Sequence, residues 1–355
     1  MKKRIISMAM SVVVAISALP LLSSCSGGIG GTNINQELVK NLELDQNDIS
    51  ILVKPFEVIN IARNELNSKN NITNEDLQNF SNTIYDAFYG SNDNESDASD
   101  ISDGKYATDI LSEKYSNVAE NNEAMRSQYN TYETVVLNGQ SSITHYHLGE
   151  VDVRMGGVID YLPIMRYKDA VSFLNFHSEL LYGKEMISEE EINKVSENNI
   201  RTSYKDNLKI TLSKILNSSA KAEKICKLTM KVWHNSIYKE HDTETDAFTM
   251  ENGTYFYDDF NDALKNLYND TTYNSDISSI KEEQEDITEI VKLMKDVPEE
   301  FSSTYDDLKQ LYSAYQTFSG LAVNSSGSYN SYSDNVEKAT DEVIKYYNNL
   351  KLYLD

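Results

Sequence analysis

The sequence has 355 residues, of which 56 are acidic and 32 basic, so its formal net charge at pH 7 is −24. This acidic balance argues against nucleic acid as a partner, because binding to phosphates depends on basic patches that displace counterions. Two cysteines are too few for a disulfide framework or a cysteine-based metal centre. We expect a mainly solvated acidic surface, with a cation or a basic protein partner as the alternative.

Residues 1–31 have the order of an export signal. Residues 2–4 are basic, residues 5–22 form an apolar run, and small residues then lead to a cysteine. This order is typical of a secretory signal peptide. The stretch Leu22-Ser23-Ser24-Cys25 also resembles the lipobox of bacterial lipoproteins, which is a branched apolar residue and two small residues before a cysteine.

The lipobox resemblance implies cleavage before Cys25 and a diacylglycerol on its thiol, with palmitate among the acyl chains. It implies a position at the extracytoplasmic face of the cell membrane, held there by lipid. The alternative is that residues 5–22 remain as a transmembrane helix, although eighteen residues lie near the lower limit for a span. Because the rest of the chain is acidic, we expect contact with the membrane through the lipid alone.

Composition divides the chain into four segments. Residues 1–24 are the predicted signal peptide, and the Ser- and Gly-rich residues 25–32 are a flexible tether. Residues 33–185 form an N-terminal helical region with an acidic loop at 91–104, and residues 186–355 form a C-terminal helical bundle. No internal repeat indicates a solenoid.

Apolar residues recur in three stretches at alternating steps of four and three, which is typical of bundle helices. Only four prolines interrupt the whole chain. The sequence therefore predicts an all-α fold, an elongated antiparallel helical bundle. Further helices are predicted at 165–181, 192–216, 225–238, 256–268 and 277–294. The three stripes are Leu111, Tyr115, Val118, Met125, Tyr129, Tyr132 and Val136; Phe301, Tyr305, Leu308, Tyr312, Tyr315, Phe318 and Ala322; and Val336, Ala339, Val343, Tyr346, Leu350 and Tyr353.

Local signals mark where several of these helices begin and how they are joined. The short polar link 323–333 predicts that the last two helices pack antiparallel. Three pairs of residues resemble capping boxes, in which two side chains bond each other's backbone N–H groups. They are Ser188 with Glu191, Ser279 with Glu282, and Asp334 with Glu337.

The acidic loop 91–104 contains carboxylates of the kind that bind calcium. An EF-hand requires acidic residues at its first, third and fifth positions before the glycine. Counting back from Gly104, those positions hold Ser99, Ile101 and Asp103, so the pattern fails. We interpret the loop as solvated.

Residues 137–161 break the helical pattern with four glycines and several β-branched residues, which predicts a small irregular or β-hairpin excursion. His145 and His147 would face the same side of a strand and could bind one metal ion, with Glu150 or Asp152 adding an oxygen. Zinc usually requires three or four placed ligands, so the two histidines are weak metal candidates. The alternative is a surface loop with two exposed histidines.

No motif for a catalytic nucleophile, a phosphate-binding loop or a dinucleotide site is present. His177 lies on the apolar side of a predicted helix, which favours a hydrogen-bonded core histidine. Cys226 lies within another apolar stripe, which favours a buried, inert thiol. No cofactor is expected, and we predict a protein without enzymatic activity.

The C-terminal 125 residues are similar to uncharacterised exported helical proteins of Gram-positive bacteria. The resemblance lies in four stretches, and it implies no catalytic residue. They are Val232-Trp233-His234-Asn235-Ser236-Ile237-Tyr238-Lys239, Asp258-Asp259-Phe260-Asn261, Leu311-Tyr312-Ser313-Ala314-Tyr315 and Gly327-Ser328-Tyr329.

Together these features favour a lipid-anchored, extracytoplasmic helical lipoprotein that binds or spaces rather than catalyses. One alternative is a metal- or cation-binding lipoprotein that uses residues 137–161. A third is an enzyme with an unrecognised site. The sequence names neither the ligand nor the oligomeric state.

Overall fold

A computed structural model describes residues 34–90, 105–120, 122–147, 161–295 and 298–354. Of the described residues 82% are helical, and the described strands form one two-stranded antiparallel sheet. The predicted all-α bundle is therefore confirmed. The signal peptide, Cys25, the tether 25–32 and the acidic loop 91–104 all lie outside the described residues.

Six helices are described in the N-terminal part, and their apolar faces enclose one core that runs from Ile34 to Val195. Phe56, Phe88 and Tyr167 are among its fully buried side chains. The helices are α1 (Gln36–Asn41), α2 (Gln46–Ser68), α3 (Asn74–Tyr89), α4 (Ala107–Ala119), α5 (Glu123–His147) and α6 (Leu162–Tyr182).

A second core runs from Tyr204 to Leu350. Its elements are α7 (Glu189–Tyr238), α8 (Asp246–Thr249), β1 (Met250–Glu251), β2 (Tyr255–Phe256), α9 (Phe260–Asn269), α10 (Thr271–Leu293), a 3₁₀ turn (Glu299–Phe301), α11 (Ser302–Val323) and α12 (Tyr329–Lys351).

Helix α7 connects the two cores. It begins after Ser188, whose side chain accepts a hydrogen bond from the Glu191 N–H group, and no glycine or proline interrupts its 50 residues. At 1.5 Å per residue its length is about 75 Å. Val195 belongs to the first core and Tyr204 to the second, so the cores meet within one continuous helix.

The start of α7 is fastened to the first core by polar contacts. Arg63 and Asn67 on α2 both bond the Glu191 carboxylate, with distances of 2.7 Å from Arg63 Nε and from Asn67 Nδ2 to Oε1. Burial acts to raise the pKa of Glu191, but the hydrogen bonds from Arg63 and Asn67 hold it below its usual range. Asn198 Oδ1 accepts a hydrogen bond of 2.8 Å from the Ile72 N–H group.

Helices α11 and α12 pack antiparallel, as predicted. The Tyr332 hydroxyl, near the start of α12, donates to the Leu321 carbonyl near the end of α11 at 3.0 Å. At the opposite ends, the Tyr353 hydroxyl donates to Asp307 Oδ2 at 3.2 Å. These two contacts hold the helices at both ends of their shared face.

Several local predictions are corrected by the structure. Residues 137–147 belong to helix α5, so the predicted excursion does not begin at 137, and residues 148–160 lie outside the described ranges. The described hairpin lies at 250–256 instead. The proposed capping pairs at Ser279 and Asp334 are wrong, because both residues lie inside helices whose N-caps are Asp270 and Ser328.

Candidate binding cleft at the end of the long helix

The two histidines proposed as metal ligands do not lie on a strand. The backbone of α5 is helical through His147. Residues two apart in a helix are separated by about 200° around the axis, so the geometry that predicted His145 and His147 on one side does not apply. Among the described residues, no group of three His, Cys, Asp or Glu side chains is arranged to hold a metal ion.

A different segment interrupts the helices of the second core. Residues 239–257, here called the hairpin segment, connect α7 to α9 and contain α8, β1 and β2. Lys239 ends α7 in a left-handed conformation with φ of 57°. Asn252 and Gly253 both have positive φ, 54° and 70°, and the Thr254 N–H group donates to the Glu251 carbonyl at 3.1 Å. Two successive positive φ values closed by this hydrogen bond are typical of a type I′ turn, and the register, with Glu251 opposite Tyr255, makes residues 252–254 the loop of the hairpin.

Polar contacts hold the hairpin segment against the bundle. Asn235 on α7 donates from Nδ2 to Oγ1 of the buried Thr245 at 2.9 Å. Asn266 on α9 donates to the Phe248 carbonyl at 3.3 Å. The segment is therefore tied to α7 on one side and to α9 on the other.

Charged side chains surround the start of the segment. Lys231 Nζ lies 2.9 Å from Asp242 Oδ1 and 2.7 Å from Glu244 Oε2. Hydrogen bonding to Glu244 and Asp242 raises the pKa of Lys231, and the bond from Lys231 lowers the pKa of Asp242. His241 Nδ1 lies 3.4 Å from Asp246 Oδ2. The segment thus begins with paired charges on the outer side of α7.

An open cleft of about 650 Å³ lies between the hairpin segment, α9 and the start of α10. No lysine or arginine belongs to its described lining; its walls carry amides, two carboxylates, one imidazole and two aromatic rings. The lining exposes more polar than apolar surface, so hydrogen-bonding groups dominate the chemistry of the cleft. The lining residues are His241, Asp246, Ala247, Phe248, Met250, Asn252, Gly253, Tyr257, Asn266, Asn269 and Asp270.

The hairpin was not predicted from the sequence. The signal was available, because Asn-Gly between short apolar or aromatic stretches is the strongest short-range indication of a type I′ hairpin. The stretch Phe248-Thr249-Met250 before it and Tyr255-Phe256-Tyr257 after it have that character. The contributions of Asn266 and Asp270 depend on tertiary packing and carry no local signal.

The two side chains that were predicted to be structural, His177 and Cys226, are both buried. His177 is fully buried, and its Nδ1 lies 2.9 Å from the Phe173 carbonyl, whereas its Nε2 has no hydrogen-bond partner among the described residues. Desolvation lowers the pKa of His177 to about 4. Cys226 is also fully buried, and desolvation raises the pKa of its thiol to about 11, so it is protonated at neutral pH.

The chain matches no protein-family model, no curated protein and no solved structure. Within the described residues, no helix has both the length and the apolar composition required to cross a bilayer.

Proposed function

We propose that this protein is a lipid-anchored helical lipoprotein at the extracytoplasmic face of the bacterial membrane, where it binds or spaces a partner without catalysis. The resemblance of residues 22–25 to a lipobox supports the anchor on Cys25. The acidic composition supports attachment through lipid rather than through basic side chains.

One observation carries the proposal, namely the separation of the two ends of α7. The backbone N–H group of Asn35 donates to the Leu181 carbonyl at 2.8 Å, so the start of the described chain lies at the end of α6. That end is joined to the start of α7 through residues 183–188. The candidate cleft follows the other end of α7, about 75 Å away along the helix.

This arrangement suits display of a binding surface. Ile34, the first described residue, is buried in the first core. The chain from Cys25 to Ile34 can span at most about 32 Å, so a lipid on Cys25 would lie near the α6 end of the fold. Two exposed aromatic residues, Tyr238 and Tyr255, lie at the opposite end, in or beside the hairpin segment.

The chemistry of the cleft supports binding rather than group transfer. An imidazole lies beside a carboxylate, His241 with Asp246, but no serine or cysteine belongs to the described lining to act as a nucleophile next to them. The cleft is also open to solvent along the hairpin, which suits a ligand that passes over the surface.

The anchor is tested by the variant Cys25→Ala. We expect it to lose labelling by a radioactive fatty acid and to move from the membrane fraction to the soluble fraction, because the thiol that carries the lipid is absent. The control is Cys226→Ala, whose buried thiol is not the predicted attachment point. Unchanged acyl labelling of Cys25→Ala would overturn the anchor.

The display of the far end is tested with Tyr255→Cys and a membrane-impermeant maleimide on intact cells. Tyr255 is 74% exposed, so a cysteine there should be labelled. The wild-type protein should not be labelled, because Cys226 is buried and the proposal gives the Cys25 thiol to the lipid. Labelling of Tyr255→Cys only after lysis would contradict an extracytoplasmic position.

A further inference from the structure

We infer that the cleft beside the hairpin segment binds an uncharged, polyhydroxylated ligand, a segment of a glycan chain. The inference rests on the proposed function in one respect, since an anchored protein that faces outward meets such chains at the cell surface. The cleft itself supplies the remaining support.

The polar groups that line the cleft are mostly neutral amides and a phenol. Asn252, Asn266 and Asn269 come from the hairpin turn and from α9, and Tyr257 follows β2. An amide offers two donors and an acceptor, and a phenol offers one donor and accepts as well. A sugar hydroxyl likewise donates and accepts, so these groups match it without a net charge.

Several of these groups have no competing partner. The side-chain amides of Asn252 and Asn269 and the hydroxyl of Tyr257 make no hydrogen bond within the described part of the chain. Asn266 uses its Nδ2 to bond the Phe248 carbonyl, which leaves its Oδ1 to accept. A ligand can therefore engage these groups without breaking a contact of the protein.

Two aromatic side chains supply the apolar part of the site. Phe248 and Tyr257 are both half-buried, so each ring is held by the second core and keeps one part exposed in the cleft. Met250, which is buried, also lines the cleft. The C–H groups of a sugar ring form an apolar face, and aromatic rings supply a large rigid surface for it.

The charged groups of the cleft disfavour an anionic small ligand. No lysine or arginine in the described lining offsets its carboxylates, Asp246 and Asp270, and the ammonium group of Lys239 beside the cleft is engaged by the Tyr257 carbonyl, so the lining disfavours a phosphate or carboxylate ligand. Both carboxylates already have backbone partners. Asp246 Oδ1 accepts a hydrogen bond from the Asp242 N–H group, and Asp270 Oδ1, at the N-cap of α10, accepts one from the Tyr273 N–H group. Asp270 keeps a second oxygen that can accept from a hydroxyl, whereas Asp246 Oδ2 faces His241 Nδ1 at 3.4 Å.

The cleft is preorganised on both sides. The Asn252-Gly253 turn fixes one wall, and the corner between α9 and α10 at Asp270 fixes the other. Binding therefore requires little ordering of the protein, and such ordering is a major cost of binding at an open site.

The experiment is a titration of the purified full-length protein, in a detergent without a sugar headgroup, with neutral linear oligosaccharides of hexoses and of N-acetylhexosamines. Calorimetry and saturation-transfer NMR follow the binding. Oligosaccharides of uronic acids and a lysine-rich peptide serve as the anionic and cationic probes. We expect binding of a neutral oligosaccharide with an affinity that does not change between low and high salt.

Two variants place the ligand in the cleft. Asn269→Ala and Tyr257→Phe each remove one hydrogen-bonding group, and we expect each to weaken binding about three- to tenfold. Asn349→Ala makes the same chemical change as Asn269→Ala at an exposed position of α12 and should bind like the wild type. Thermal melts of all variants check that each is folded.

The outcomes separate this inference from the anchoring proposal. No binding of any neutral oligosaccharide, or binding that neither Asn269→Ala nor Tyr257→Phe weakens, would overturn it. Binding of the lysine-rich peptide alone, weakened by salt, would also overturn it and assign the cleft to a cationic partner. None of these results alters the acyl labelling of Cys25, which tests the anchor alone.

Discussion

The two cores of this molecule are both helical and both contain packed aromatic rings, but they differ in the polar groups that they bury. In the first core, aromatic rings pack against one another. Phe88 lies edge-on to Phe56 and to Phe173, with ring centroids 5.6 and 5.2 Å apart, and the His177 ring lies 4.4 Å from that of Phe173. These rings fill space, and within the part of the chain that the structure describes they leave the His177 Nε2 without a hydrogen-bond partner.

In the second core, tyrosine hydroxyls bond to the long helix α7. Tyr315 Oη lies 2.8 Å from Ser218 Oγ, and Tyr273 Oη lies 2.6 Å from Thr229 Oγ1. Both the serine and the threonine are fully buried on α7. Buried hydroxyls that are paired in this way fix the register of the packed helices, because a shift would leave both groups unsatisfied.

Each core is therefore sensitive to a different perturbation. The first core depends on the neutrality of one buried imidazole, and the second depends on the pairing of hydroxyls between helices. Truncation of a large side chain should affect either core. In contrast, pH should act mainly on the first core, and loss of a hydrogen bond between two side-chain hydroxyls mainly on the second, because the hydroxyls of Tyr89 and Tyr132 in the first core donate to backbone carbonyls instead.

Cavities in the second core should have the greatest effect on stability. Leu308 and Leu350 are fully buried, and truncating either to alanine should lower the free energy of unfolding by about 2–5 kcal/mol, from lost transfer energy and the cavity left behind. Lys309 is exposed, and Lys309→Ala should change the free energy by no more than about 0.5 kcal/mol. Urea melts followed by circular dichroism measure all three, and equal losses would contradict the buried stripe.

The single tryptophan lets this test distinguish the two cores. Trp233 is buried in the second core, so its fluorescence reports that core. Leu308→Ala should lower the midpoint of the fluorescence transition. Leu174→Ala removes a fully buried leucine of the first core, and it should lower the fluorescence midpoint equally only if the cores unfold as one unit through α7.

The stability of the first core should depend on pH, with an effect somewhat smaller than that of the leucine truncations. The pKa of His177 is about 4 in the folded chain against about 6.5 in an unfolded chain, so the unfolded state binds the proton more readily. Its contribution to stability is therefore fully present above pH 6.5 and is lost as the pH falls toward 4, by about 3 kcal/mol in total. The Tyr132 ring, which packs edge-on to His177, stays neutral because burial raises its pKa.

His177→Leu is the matched variant for this prediction. It should be less dependent on pH between 6.5 and 4 than the wild type, because the group that takes up the proton on unfolding is absent. The carboxylates are the same in both proteins, so the difference between their urea midpoints at each pH isolates the histidine. Parallel curves for the two proteins would show that His177 is not the source.

Loss of one hydroxyl of the second core should lower the free energy of unfolding by less than the leucine truncations and the pH effect described above. Tyr315→Phe leaves Ser218 Oγ buried without its partner and should cost about 1–2 kcal/mol. Adding Ser218→Ala removes the orphaned group, so the double variant should lose less than the sum of the two single variants in a double-mutant cycle. Strict additivity would mean that the two hydroxyls do not interact.

The helical class and the buried faces of several helices could be predicted from the sequence, because apolar periodicity reports burial directly. Leu308 and Phe318 of one predicted stripe are buried, and so are Val343 and Leu350 of the stripe on the next helix. Both sets belong to the second core, as the antiparallel packing of α11 and α12 requires.

Helix boundaries were predicted less well. The predicted helices 192–216 and 225–238 are one helix. The two predicted helices left residues 217–224 unassigned, but Ser218 and Ser219 there are buried within α7. Their hydroxyls are small enough to lie between packed helices, and the pairing of Ser218 with Tyr315 on α11 is a tertiary contact that no local pattern reports.

The candidate cleft was the part that sequence reasoning missed. Glycine and β-branched residues at 137–147 drew attention, yet helix α5 continues through them, since packing overrides weak local preferences. Gly139, for example, lies where a Cβ would meet the Phe173 ring and the Tyr89 hydroxyl, so its role is close packing between helices. The residues that meet in the cleft are joined only by tertiary structure.

The hairpin segment borders the second core and depends on backbone conformation, so substitutions there should have modest effects. Gly253 has φ of 70° with open space where a Cβ would be, so Gly253→Ala should cost about 1 kcal/mol through backbone strain alone. Gly320 also has open space around it but lies inside helix α11, so Gly320→Ala should stabilise the protein by about 0.5–1 kcal/mol. The same added methyl group should thus destabilise the protein at position 253 and stabilise it at position 320. Thermal melts compare them, and a stabilising Gly253→Ala would refute the type I′ turn that forms one wall of the cleft.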